Sequence, residues 1–331
     1  MRKSLYLILA VVIIGAGALF FRHKNSTPPV LTTTTSTYPV APLTGIRNAA
    51  SSTALTRPAL TIKIENTPEA LPQWGVDQAD VVYEEIVNGG ITRLAAIFNS
   101  IAPAKVGPVR SVRPTDTQVV WPLGGIFAYS GGAAYAVNSI STAPVKLIDE
   151  SSAGTAMFRD PTRVAPHNLY ARAPQLFAFK GSPTPPPVLF SYHASNAKPT
   201  GTTVSSFVVP FPSYYPVSWT WDATTLSWDR TLFGQSDITG TGVRESPKNV
   251  IVMFINYVNG IGTENSYGNL QGSGTVAIFS GGREITGTWS RGSSASDVIQ
   301  YKNAKGATIT LTPGQTWVEL LNTGSVLSVK K

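Results

Sequence analysis

The side chains able to do chemistry gather between residues 60 and 170. Asp80, Tyr83, Glu84 and Glu85 fall on one strand-like run, residues 79–87, and Asn88-Gly89-Gly90 turns it into a second apolar run, 91–98, that carries Arg93. A hairpin with that turn sets Glu84 or Glu85 beside Arg93, depending on register. A carboxylate next to a guanidinium is either a general acid/base beside an anion-holding cation or a cross-strand ion pair on a solvated sheet. Arg110 and Arg113 stand three apart where a loop enters a short helix ending near Trp121, a junction suited to a carboxylate or phosphate. The strand-like 125–129 runs into Ser130-Gly131-Gly132 ahead of a helical 133–140, a second junction of that kind. Phe158-Arg159-Asp160 and Pro166-His167-Asn168 complete the set, and His167 brings the side chain suited to proton transfer near neutral pH. The candidate catalytic residues are therefore Glu84, Glu85 and His167. The candidate ligand-binding residues are Asp80, Tyr83, Arg93, Arg110, Arg113, Ser130, Arg159 and Asn168.

The elements that must position them are short. With 29 Gly and 25 Pro in 331 residues the chain is rich in turns and strands and poor in long helices. Residues 177–187, Phe-Ala-Phe-Lys-Gly-Ser-Pro-Thr-Pro-Pro-Pro, punctuate it. Beyond them strand-like runs recur at 205–209, 215–221, 227–233, 249–257, 274–280, 283–290, 307–311 and 316–321. The expected fold class is α+β: an N-terminal mixed α/β domain (42–187) followed by an antiparallel all-β domain (188–331), behind an N-terminal transmembrane helix. Trp219, Trp221, Trp228, Trp289 and Trp317 concentrate in the second part, as core or, for an exposed subset, as sugar-stacking faces. Asp229-Arg230 and Asp237 are read there as lining an interdomain cleft or as ion pairs.

Residues 5–21 form an uncharged, apolar run between Arg2-Lys3 and Arg22-His23-Lys24. As a helix at about 1.5 Å per residue it spans about 25 Å, enough for a thin bilayer with snorkelling flanks. Residues 1–24 are thus read as a signal anchor, and the Ser/Thr/Pro-rich 25–41 as an extended linker. The net charge of +8 invites nucleic acid as a partner, but half of it, Arg2, Lys3, Arg22 and Lys24, flanks the anchor. The rest shows no basic run, which argues against nucleic-acid binding. Zero cysteines exclude disulfides, thiolate metal sites and a cysteine nucleophile, and three histidines leave no multi-histidine metal site. No metal or cofactor signature is present, nor a P-loop, His-Glu-x-x-His, Gly-x-Ser-x-Gly or Gly-x-Gly-x-x-Gly motif.

Pro42-Leu43-Thr44-Gly45, Arg57-Pro58, Gln78-Ala79-Asp80-Val81-Val82-Tyr83-Glu84, Gly89-Gly90-Ile91-Thr92-Arg93, Gly107-Pro108-Val109-Arg110-Ser111-Val112-Arg113-Pro114 and Pro166-His167-Asn168-Leu169-Tyr170 resemble the YerB-like family, DUF3048. The resemblance continues through Lys248-Asn249-Val250-Ile251-Val252, Gly287-Thr288-Trp289 and Gly314-Gln315-Thr316-Trp317. It implies a bacterial extracytoplasmic envelope protein, typically lipid-anchored. This chain departs from the pattern in having no lipobox cysteine, so a peptide anchor stands in for the lipid. It also has Tyr129-Ser130 where members often carry histidine. Two functions stay open: a membrane-tethered module binding an anionic or glycan ligand of the cell wall or an envelope protein, and a metal-independent hydrolase or lyase using Glu84 or Glu85 with His167.

Overall fold

A computed structural model describes residues 39–47, 52–181, 184–194, 197, 200–212 and 216–331. The anchor expected over 5–21 lies outside these residues. Among the described residues no helix is long and apolar enough to cross a membrane.

Strand β1 (Leu60–Asn66) is flanked by β3 (Thr92–Phe98), which in turn pairs with β2 (Val81–Ile86). Asn88, Gly89 and Gly90 close the β2–β3 hairpin, with Gly89 and Gly90 at φ +79° and +74°, conformations glycine adopts without steric cost. Both pairings are antiparallel, and both are buried along nearly their whole length. Beyond β1 lie β4 (Ile126–Tyr129) and β5 (Lys146–Asp149), both parallel to it. Helices α1 (Pro114–Val120) and α2 (Ala134–Ile140) make the crossovers. They cover one face of the sheet through Val112, Val120, Phe127, Ala136 and Ile140.

On the other side of β2 the sheet continues with strands from the C-terminal half. Thr316–Asn322 runs parallel to β2, with Val82 opposite Trp317 and Glu84 opposite Glu319. Asn249–Val258 lies parallel beyond it, then Gly272–Ser280, Arg283–Arg291 and Gln300–Asn303 in antiparallel succession. A five-stranded sheet that includes Ser206–Val209, Val217–Asp222 and Ser227–Leu232 covers the second face. Its aromatic rings interlock with the large sheet: Phe207 stacks on Phe279 with centroids 3.5 Å apart, and Trp219 meets Trp317 edge-on at 5.4 Å.

The expected α+β arrangement, an α/β domain followed by an antiparallel all-β one, is therefore corrected. The described chain is mostly β, with 21 strands against three short α-helices, and one large mixed sheet takes strands from both halves. The reason is visible in the strands themselves. Asn249–Val258 and Thr316–Asn322 are mostly buried on both faces, as central strands between two covering layers must be, but periodicity does not name their neighbours. Trp219, Trp228, Trp289 and Trp317 are buried core residues, and the partly buried Trp221 packs against the same core.

Candidate functional site

The parallel order of β1, β4 and β5 sets their carboxyl ends side by side, the place where open sheets of this kind hold ligands. β4 pairs with β1 only over Leu60–Ile62. From Ile64 onward the Pro108–Arg110 segment takes its place: Glu65 N–H donates to Pro108 O (2.9 Å), Arg110 N–H to Lys63 O (2.9 Å), and Ser130 N–H to Arg110 O (3.0 Å). Arg110 is thus wedged between the ends of β1 and β4. Gly107, at φ +143°, lets the loop enter; a Cβ there would lie 2.9 Å from Leu169 O.

The register decides which carboxylate meets Arg93. Glu85, Arg93 and Glu65 lie side by side across β2, β3 and β1, so all three project to the face covered by α1 and α2. Glu84 projects to the opposite face. There it accepts from Asn66 (2.9 Å), Thr92 (2.7 Å) and Arg230 Nη2 (2.7 Å), fully buried. Glu85 is held by Lys63, whose Nζ also donates to Asp116 Oδ1 on α1 at 2.8 Å. Burial, only partly offset by Lys63, pushes the Asp116 carboxyl up to about 6.

Around Glu65 the structure brings together four of the expected residues. Arg110 Nη2 donates to Glu65 Oε1 at 2.8 Å, and His167 Nδ1 lies 3.0 Å from both Glu65 oxygens. Arg93 donates to Ser111 O (3.1 Å), while Arg113 donates to Val112 O (2.9 Å) and Asn88 Oδ1 (2.8 Å). Neither Arg93 nor Arg113 has an ion-pair partner among the described residues. Burial, then the charges of Arg113 and Arg110, bring the Arg93 guanidinium down to about 10, although Glu85 and Glu65 oppose this. Next to this cluster runs a second network. Ser130 donates to Glu150 (2.8 Å), and Arg159 bridges Glu150 (2.7 Å) and Asn168 Oδ1 (2.8 Å).

Asp80 and Tyr83 stand apart from both. Asp80 Oδ2 accepts from the N–H groups of Asn99 (2.5 Å) and Ser100 (2.8 Å), clamping the loop after β3. Burial pushes the Tyr83 hydroxyl up to about 12. The Gly131 N–H is taken by Asp149 Oδ1 at 2.7 Å, so this chain supplies its own anion at the second glycine junction. Sequence reasoning missed Glu65, which reads as the tail of a strand, and the Lys63–Asp116 contact. The available signals were the alternation Lys63, Glu65 on a strand paired to Arg93, and an acidic residue three positions after Arg113, whose Oδ2 accepts the Arg113 N–H at 2.7 Å.

These features sit in a known family. Residues 43–182 match the N-terminal domain and residues 207–318 the C-terminal domain of the family described as "Protein of unknown function (DUF3048)", and the chain belongs to that family. Among its relatives is a Bacillus subtilis (strain 168) protein described as "Putative lipoprotein YerB", 26% identical over 303 residues and covering 88% of each chain. The crystal structure of YerB protein from Bacillus subtilis has the same fold, with a TM-score of 0.76 at 23% identity over 88% of this chain and 100% of that one.

Proposed function

We propose that this chain is a membrane-tethered, extracytoplasmic protein of a bacterial envelope that binds an anionic group of cell-wall material through Arg93, Arg110 and Arg113. Its relative's description as a lipoprotein supports the envelope setting. In a chain with no cysteine, the apolar run 5–21 takes the place of the lipid. The observation that carries the ligand class is the pair of guanidiniums, Arg93 and Arg113, that form no ion pair among the described residues while a third, Arg110, stands close enough to bear on Arg93. Three neighbouring cations repel one another, and a phosphate or carboxylate bridging them relieves that repulsion through charge-assisted, bidentate bonds.

The full-length chain in detergent micelles is expected to co-sediment saturably with purified wall fragments, more weakly as salt rises. Arg113→Ala removes a charge-assisted contact of about 1.5–3 kcal/mol and should weaken binding about tenfold or more. Unchanged affinity in Arg113→Ala and Arg93→Ala would remove the site.

A further inference from the structure

His167 is placed for more than binding. Its Nδ1 points at a carboxylate that is only 3% exposed, whereas its own side chain is 23% exposed. A carboxylate accepts, so Nδ1 carries the proton, and the lone pair of the neutral ring resides on Nε2, which bonds no described residue. Glu65 Oε1 also receives Arg110, so the imidazole and the arginine cluster are neighbours on one carboxylate. A base oriented by a buried acid beside preorganised cations is the constellation of general-base catalysis.

The charges narrow the chemistry. Glu65 pairs with Arg110, and Glu85 and Asp116 share Lys63, so four cations stand against three carboxylates, with Arg93 and Arg113 outside any ion pair among the described residues. A phosphodiester carries one negative charge, and its transition state under attack by a deprotonating water carries nearly two. Arg93 and Arg113, held by carbonyl and amide oxygens, are the donors free to turn to the phosphoryl oxygens as charge builds on them, which favours the transition state over the bound ester.

Building on the anion-binding reading above, we propose that the site hydrolyses a phosphodiester. His167 Nε2 takes a proton from water as the water oxygen bonds to phosphorus. The bond from phosphorus to the leaving alcohol's oxygen breaks, and the proton passes from His167 to that oxygen. Diester and water become phosphomonoester and alcohol.

The probe is bis(4-nitrophenyl) phosphate, given to the full-length chain in detergent with a chelator present, and the readout is 4-nitrophenolate. His167→Ala, a loop substitution, should lower the rate by at least about 100-fold while retaining affinity for wall fragments. Arg113→Ala should lower both. Wall binding without any nitrophenolate release, or equal rates in wild type and His167→Ala, overturns the hydrolase and leaves the binding reading standing. Absence of both binding and release overturns the two together.

Discussion

Arg230→Met is expected to destabilise the protein by about 3–5 kcal/mol, the cost of breaking a buried ion pair from one side. Arg230 is wholly buried and pairs with both Glu84 and Asp237. Its Nη2 reaches Glu84 at 2.7 Å and its Nη1 reaches Asp237, while Trp317 lies beneath the guanidinium at 4.4 Å. Burial disfavours the Arg230 charge, but Glu84, Asp237 and Glu319 more than offset this and hold it above the ordinary range. One cation does not neutralise that many acids. Burial, then the neighbouring Glu84, raises Glu319 well above its ordinary value, and burial with Asp237 and Asp77 does the same for Glu245.

The sign of the pH dependence follows. A carboxyl whose folded pKa is raised binds its proton more tightly in the folded state. Its contribution is fully present below about 4.5 and is lost as pH climbs from there toward the folded value. Urea unfolding of the full-length chain, followed by tryptophan fluorescence, should therefore show falling stability as pH rises above about 4.5. Glu319→Gln, which keeps an acceptor for the Trp219 indole N–H (3.0 Å in the native chain) but carries no charge, should flatten that slope at little cost. Arg230→Met should lose least at acid pH, where the raised Glu319 and Glu245 carboxyls hold their protons. A loss below about 1 kcal/mol at neutral pH would mean that the acids find other compensation.

Local pattern located the pieces, and long-range pairing assembled them differently. The Asn88-Gly89-Gly90 turn announced the hairpin, and the two-residue period required that Glu84 and Glu85 face opposite sides, so only one of them could meet Arg93. The runs at 227–233, 249–257 and 316–321 appear as strands within a residue or two of those bounds. What no local signal carries is that Thr316–Asn322 inserts beside β2, more than 200 residues away in the chain. That insertion turns Glu84 from a candidate on a solvated sheet into a fully buried partner of Arg230. It also explains why the tryptophans are core, since they fill the space between two sheets whose contact the sequence does not state. His167 and Glu65 are 102 positions apart, and their meeting depends on the 105–110 loop, which bridges to both β1 and the 169–171 strand.

Lys63→Met should have a comparable effect through the opposite face, and one that reaches the site. Lys63 is fully buried on β1 and holds Glu85 and Asp116 together, Asp116 Oδ1 at 2.8 Å. Removing the ammonium leaves two buried carboxyls facing each other without a cation, a loss of about 3–5 kcal/mol when both are ionised. Asp116 already sits at about 6 because burial outweighs its bond to Lys63. In the wild type its stabilising contribution is complete below about 4 and fades as pH rises through about 6. Without Lys63 the Asp116 carboxyl loses the charge that opposes its burial, so the difference between variant and wild type should grow from pH 5 to pH 8. Asp116 Oδ2 also accepts the Arg113 N–H, so the buried pair fixes the start of α1 and with it the guanidinium that meets no carboxylate. Asp116→Asn separates the two consequences. It keeps an oxygen for the Arg113 N–H or for Lys63 but lowers the buried negative charge, so wall-fragment affinity should fall less than in Lys63→Met at equal stability. A Lys63→Met variant as stable as wild type at pH 8, with unchanged affinity, would show that β1 carries its lysine for neither purpose.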